Sequence, residues 1–175
     1  MDRQEFFSLA ELHDCGASVL NEEELNRIVD HYLTIDPDLM EEADHIVYTN
    51  NQDKFFEFID AIIRHNDMTI KSLVKITVFS EDHVQIQEYA FKNHESANSR
   101  IVIILHFDRL DFQNQRRILK DSQNYGLPKM GSNFPGFILT KDDRTLFMID
   151  VSNNDLRRMS VSLANRCSHE FLYVD

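Results

Sequence analysis

Ile101-Val102-Ile103-Ile104-Leu105 is the longest unbroken apolar run in the chain. It is far too short to cross a bilayer. A strand that is apolar at every position has no face to give to water, so it belongs inside a sheet that is covered on both sides. The rest of the chain has to supply those two covering layers.

The means to do so are present. The 175 residues are enough for one domain of ordinary size with room for a small appendage. Thirteen Phe and five Tyr offer large core side chains. Four Gly and three Pro are too few for a loop-dominated or disordered protein.

Periodicity assigns the elements. Phe6, Phe7, Leu9 and Leu12 make a short amphipathic stretch that a turn at Cys15-Gly16 ends. Asn21 to Glu24 reads as a helix start, with Asn21 as cap, Glu24 as its capping-box partner and acids at the positive end of the dipole. Leu25, Ile28, Val29 and Tyr32 continue it at helical spacing. Ile46-Val47-Tyr48 reads as a short strand, and Phe55, Phe56, Ile59, Ile62 and Ile63 as a wide helical stripe.

The period then changes to two. Leu73 to Phe79, Val84 to Phe91 and Arg100 to Phe107 read as three strands, the first two joined by a hairpin turn at 80–83. In the second of them the apolar face switches from Val84 and Ile86 to Tyr89 and Phe91, which requires a bulge or two covered faces. A helix is expected from about Asp111 to Tyr125, stopped by Gly126 and Pro128. A hairpin pairing Phe137 to Thr140 with Thr145 to Val151 follows, then a capped helix from 152 and a final strand from Phe171 to Val174. This order predicts an α+β fold, a mainly antiparallel sheet of about five strands with packed helices.

Charge divides the chain unevenly. Residues 1–50 hold thirteen acids against Arg3 and Arg27, whereas residues 51–175 hold seventeen acids against sixteen Lys and Arg. The expected organisation is an acidic, mostly helical N-terminal segment, 1–50, before an α+β body, 51–175. Such asymmetry speaks to partners and solubility rather than to fold. Cys15 and Cys167 are too far apart in sequence for a metal-ligand spacing or a disulfide framework. The acidic start, MDRQEFFSLAELHD, is not a secretory signal. A cytoplasmic protein without a membrane segment is the resulting expectation.

Three readings compete for the acidic run Asp36, Asp38, Glu41, Glu42 and Asp44. A calcium loop would need a Gly at its sharp turn and a terminal Glu, and neither is in place. A nucleic-acid mimic could use the carboxylates as a line of phosphates for a basic groove. A solvated face is the third reading. Arg109, Arg116, Arg117 and Lys120 share one side of the helix expected after the Arg100–Phe107 strand, with Arg157 and Arg158 as a second basic pair. They suit an acidic protein, nucleic acid, or the chain's own acidic segment, and the near-neutral body disfavours direct nucleic-acid binding.

Chemistry is sparse. His106 and Asp108 close the apolar strand, and alternation would put both on one face. A metal there would need a third ligand, for which His83, His94 and His169 are the available histidines. The plainer reading makes Asp108 the start of a turn and His106 a partly buried, hydrogen-bonded residue. Cys167, His169 and Glu170 are adjacent in sequence, which is not triad logic. Glu88 and Lys92 flank a strand as in a metal-dependent nuclease core, without the one-residue spacing such a core needs. No G-x-S-x-G, phosphate-binding Gly loop or H-E-x-x-H occurs, and no cofactor is implied.

The order of elements in residues 52–166 resembles class I type III secretion chaperones. The stretch from Ile118-Leu119 through Gly136-Phe137-Ile138-Leu139-Thr140 to Thr145-Leu146-Phe147-Met148-Ile149 is similar to that family's helix and following hairpin. The resemblance implies an acidic cytosolic homodimer without catalytic residues that holds an extended stretch of another protein on apolar patches. The extra acidic segment and the basic 109–120 helix depart from it. With the acidic segment and the sparse chemistry, the expected function is non-enzymatic protein binding of chaperone, immunity or inhibitor type. It would act through an acidic partner surface at Asp36, Asp38, Glu41, Glu42 and Asp44, a basic helix face at Arg109, Arg116, Arg117 and Lys120, and apolar patches. The alternative is a nucleic-acid-mimicking inhibitor of a DNA- or RNA-binding protein or nuclease, and third comes a metal-dependent enzyme using His106 and Asp108.

Overall fold

A computed structural model describes residues 1–34, 44–65, 72–80, 83–91, 100–115, 144–151 and 168–175. Its elements are α1 (Arg3–Leu12), β1 (Ala17–Val19), α2 (Glu22–Thr34), β2 (Asp44–Thr49), α3 (Gln52–His65), β3 (Ser72–Ser80), β4 (His83–Ala90), β5 (Arg100–Leu105), a 3-10 turn (Phe107–Arg109), β6 (Arg144–Asp150) and β7 (Ser168–Tyr173).

The described strands join one seven-stranded sheet in the order β1-β7-β2-β6-β5-β3-β4. Among the described residues only β3 and β4 run antiparallel; every other neighbouring pair is parallel. The α+β class stands, but the sheet is neither mainly antiparallel nor limited to about five strands. The reason is that strands consecutive in sequence are mostly not neighbours. After the β3–β4 hairpin, β5 does not continue outward beside β4; it pairs with the other side of β3. β6 has β2 on one edge and β5 on the other, and the hairpin partner expected for it, Phe137 to Thr140, lies outside the described residues.

Parallel strands are buried on both faces, and alternation assigns the two layers. One face carries Ile46, Tyr48, Val102, Ile104, Phe147, Ile149 and Phe171, covered by Phe6 and Ala10 of α1 and by Phe107 and Leu110 after β5. The other carries Val47, Ile101, Ile103, Leu105, Leu146, Met148 and Leu172, covered by α2 and α3. These are the two layers the Ile101–Leu105 run demands. In α3, Gln52, Phe55, Phe56, Ile59 and Ile63 are buried, the spacing of a helix with one apolar side. The face switch in β4 is met by two covered faces: Val84 joins the α1-side core and Phe91 the α2–α3 side.

The helix starts are chemically explicit. Asn21 Oδ1 accepts the Glu24 N–H at 2.8 Å, and Glu24 in turn binds Arg27. A reciprocal capping box occurs at α1, between Asp2 and Glu5.

The boundary drawn at residue 50 falls between β2 and α3. β2 lies between β7 and β6 in the middle of the sheet, so the described part of the acidic half belongs to the same core as the rest. Charge asymmetry tracks surface composition and carries no information about which strands pair.

Candidate functional site

In an open sheet of parallel strands, ligands bind outside the carboxyl ends, where neighbouring strands send the chain in opposite directions. Here that point lies between β2 and β6. β2 leads through α3 to β3, across β6 and β5, while the strand after β6, β7, lies on the far side of β2. Residues 49–53, His106 and Asp150 are gathered there.

Around this crevice the chain's polar groups bond to one another. Thr49 is fully buried, its Oγ1 accepts the Asn51 N–H at 3.1 Å, and its carbonyl accepts the Val151 N–H at 3.0 Å. Asn50 bonds the backbone of Val174 twice, Nδ2 donating to the carbonyl at 2.7 Å and Oδ1 accepting the N–H at 2.6 Å. Its amide thus acts as one more residue of a strand beside β7. Asn51 caps α3 by accepting the Lys54 N–H at 3.0 Å. Gln52 is 1% exposed, and its Oε1 accepts the backbone N–H of His106. That bond fixes the amide orientation and leaves Nε2 buried, without a hydrogen-bond partner among the described residues.

His106 itself sits in the left-handed region at φ 58°, ψ 37°. β5 ends at Leu105, so alternation does not continue through His106 to Asp108 as the sequence suggested. Asp108 instead lies in the 3-10 turn. His106 Nε2 is 3.7 Å from Asp53 Oδ1. Burial, with Arg109 second, pushes the imidazole below its usual 6.5 against the opposing pull of Asp53 and Asp150.

The other sequence candidates are dispersed. Asp36, Asp38, Glu41 and Glu42 lie outside the described residues, and Asp44 opens β2 opposite Thr145. Arg109 donates to the Val78 carbonyl at 3.3 Å, tying the 3-10 turn to the end of β3. Arg116, Arg117, Lys120, Arg157 and Arg158 lie outside the described residues. His83 begins β4, two strands from β5, and His169 pairs with Ile46 at the opposite end of the sheet. His94, Lys92 and Cys167 are outside the described residues. Among the described residues no three His, Cys, Asp or Glu are grouped so as to hold a metal ion.

A second polar cluster lies under α2. Glu170 of β7 receives Arg27 of α2 and lies 3.4 Å from Nε2 of the buried His45. Burial raises the Glu170 carboxyl, but hydrogen bonds from His45 and Arg27 outweigh it and hold the group below its usual 4.5. Its chemistry is that of a helix-to-sheet link.

Sequence reasoning missed Asn50, Gln52, Asp53 and Asp150. The signal available was the polar string Thr49-Asn50-Asn51-Gln52-Asp53 between an apolar strand and an apolar helix stripe.

No family model matches the chain, and no curated protein matches it. Among the described residues, no helix is long and apolar enough to cross a membrane.

Proposed function

We propose that this chain is a non-enzymatic, cytosolic protein-binding protein of chaperone, immunity or inhibitor type. One observation carries the reading: at the ligand crevice expected of its sheet, the polar groups at the strand ends are taken up within the chain, the Thr49 carbonyl by the Val151 N–H and Gln52 Oε1 by the His106 N–H. A nucleotide site at a strand–turn–helix junction uses a glycine-rich loop whose backbone N–H groups cradle phosphate. Here Asn50 and Asn51 alone join β2 to α3, and no Gly lies among residues 44–65. The sheet is thus used as a scaffold, and its surface is left for partners. Phe58, Phe79 and Phe112 are each more than two-fifths exposed, as suits side chains that serve an interface.

Two measurements test this together. Titration calorimetry with ATP, GTP and NAD is expected to give no heat of binding, and affinity capture from the native host with mass spectrometry is expected to return one stoichiometric protein. Nucleotide binding at micromolar concentration, or capture of no protein, would defeat the proposal.

A further inference from the structure

The two edges of the sheet are unequal. β1 is three residues long, while β4 is eight residues long, and among the described residues β4 pairs with β3 alone. An unpaired strand edge presents a row of N–H and C=O groups that a further strand can join. Proteins commonly block such edges with charged side chains, above all Lys, with Pro, with a bulge or with a short strand; here the β3–β4 register shift is confined to the hairpin end, between Val78 and Ser80. β4, His83-Val84-Gln85-Ile86-Gln87-Glu88-Tyr89-Ala90, contains no Lys, Arg or Pro. Its side chains are left half-finished: Ile86 and Tyr89 are partly buried, and Gln85, Gln87 and Glu88 are exposed.

We infer that the outer edge of β4 receives an extended segment of a partner protein as an added strand, a segment that alternates apolar and polar residues and carries a Lys or Arg beside Glu88. This inference rests on the protein-binding reading above and deepens it. Alternation places Val84, Ile86 and Glu88 on one face and Gln85, Gln87 and Tyr89 on the other. An incoming strand therefore meets two apolar side chains and then a carboxylate along one face, and amides with a phenol along the other. The carboxylate is already oriented, since Ser72 Oγ donates to Glu88 Oε1 at 3.0 Å. A basic side chain opposite it completes a cross-strand ion pair.

A second copy of the chain fits less well. Antiparallel pairing of two β4 strands about Ile86 or Gln87 sets Glu88 of one copy against Val84 or Ile86 of the other. Each copy also carries a net charge of -12, which opposes self-association and favours a basic partner.

The probe is a displayed library of random linear peptides, selected on the full chain. Enriched peptides are expected to alternate apolar and polar residues around a basic position and to slow hydrogen exchange across residues 83–90. Glu88→Lys should weaken them about fivefold, the size of a strong cross-strand pair, and Glu88→Gln, which keeps the polar contact with Ser72, should lie between. A matching thermal melt shows that each variant is folded. The inference fails if no peptide is enriched, if enriched peptides lack the alternation, if residues 83–90 stay unprotected, or if Glu88→Lys changes nothing. If the native partner is captured equally well by wild type and Glu88→Lys, this edge is wrong while the protein-binding reading survives. Capture of no native partner by either defeats that reading.

Discussion

At His106 the backbone turns out of a strand whose five preceding residues are all buried. A non-glycine residue in the left-handed region costs roughly 1 kcal/mol or more and persists only where its surroundings hold it. Gln52 is the holder, because its buried Oε1 takes the His106 N–H. Gln52→Ala removes that acceptor and leaves a part-buried donor without it. A loss of about 1–3 kcal/mol is expected, read as a lower urea midpoint. The His106 imidazole adds a pH signature. Its folded pKa lies below 6.5, so above 6.5 both folded and unfolded states are neutral and nothing changes. As pH falls below 6.5 the unfolded chain takes up the proton first, and stability drops until the folded group titrates as well. His106→Gln should flatten the urea midpoint over that interval, and an unchanged slope would show that the imidazole is not shielded. His106 was visible in the sequence as the polar end of an apolar run. Gln52 was not, because it takes the pairing of β6 with both β2 and β5 to bring residue 52 to residue 106, and nothing local encodes that meeting.

Elements were more legible than their arrangement. The stripe Phe55, Phe56, Ile59, Ile63 announces α3, and the all-apolar Ile101–Leu105 announces a central strand, because burial on one side or on two writes itself into local periodicity. Strand partners leave no comparable trace, so the β3–β4 hairpin was readable from its short turn, while β2 joining β6 and β7 was not. Links between elements were hidden for the same reason. Glu170 on β7 and Arg27 on α2 are 143 positions apart yet form an ion pair, with His45 of β2 on the other side of the carboxylate. Since the Glu170 pKa is depressed below 4.5, its contribution is fully present above 4.5 and is lost as pH falls through the folded value. Glu170→Gln should remove that acid-limb loss from a series of urea titrations. Arg27 is half-exposed, so Arg27→Ala should cost no more than about 1 kcal/mol. A larger loss would mean that Arg27 holds α2 on the sheet by more than a solvent-screened pair.

For the whole molecule, negative charge is concentrated in the first fifty residues, and charge alone left open whether they pack on the body; the described ones among them contribute to the sheet and its two covering layers. β2 separates β7 from β6. α1 contributes Phe6 and Ala10 to one face, and α2 contributes Leu25, Ile28 and Val29 to the other. Together with Ile46, Val47 and Tyr48, these buried side chains are worth on the order of 10–20 kcal/mol of apolar burial. A fragment of residues 51–175 would also leave β7 without its neighbours on either side, since β1 goes with β2. It should therefore show no sigmoidal urea transition by circular dichroism, whereas the full chain unfolds cooperatively. A cooperative transition in the fragment would restore the acidic half to the status of an appendage. The alternative expected here has a consequence for partner binding. Because the acidic half is structurally required, its surface charge has to be probed by substitution of exposed carboxylates in the intact chain, and loss of binding on truncation would report only loss of the sheet.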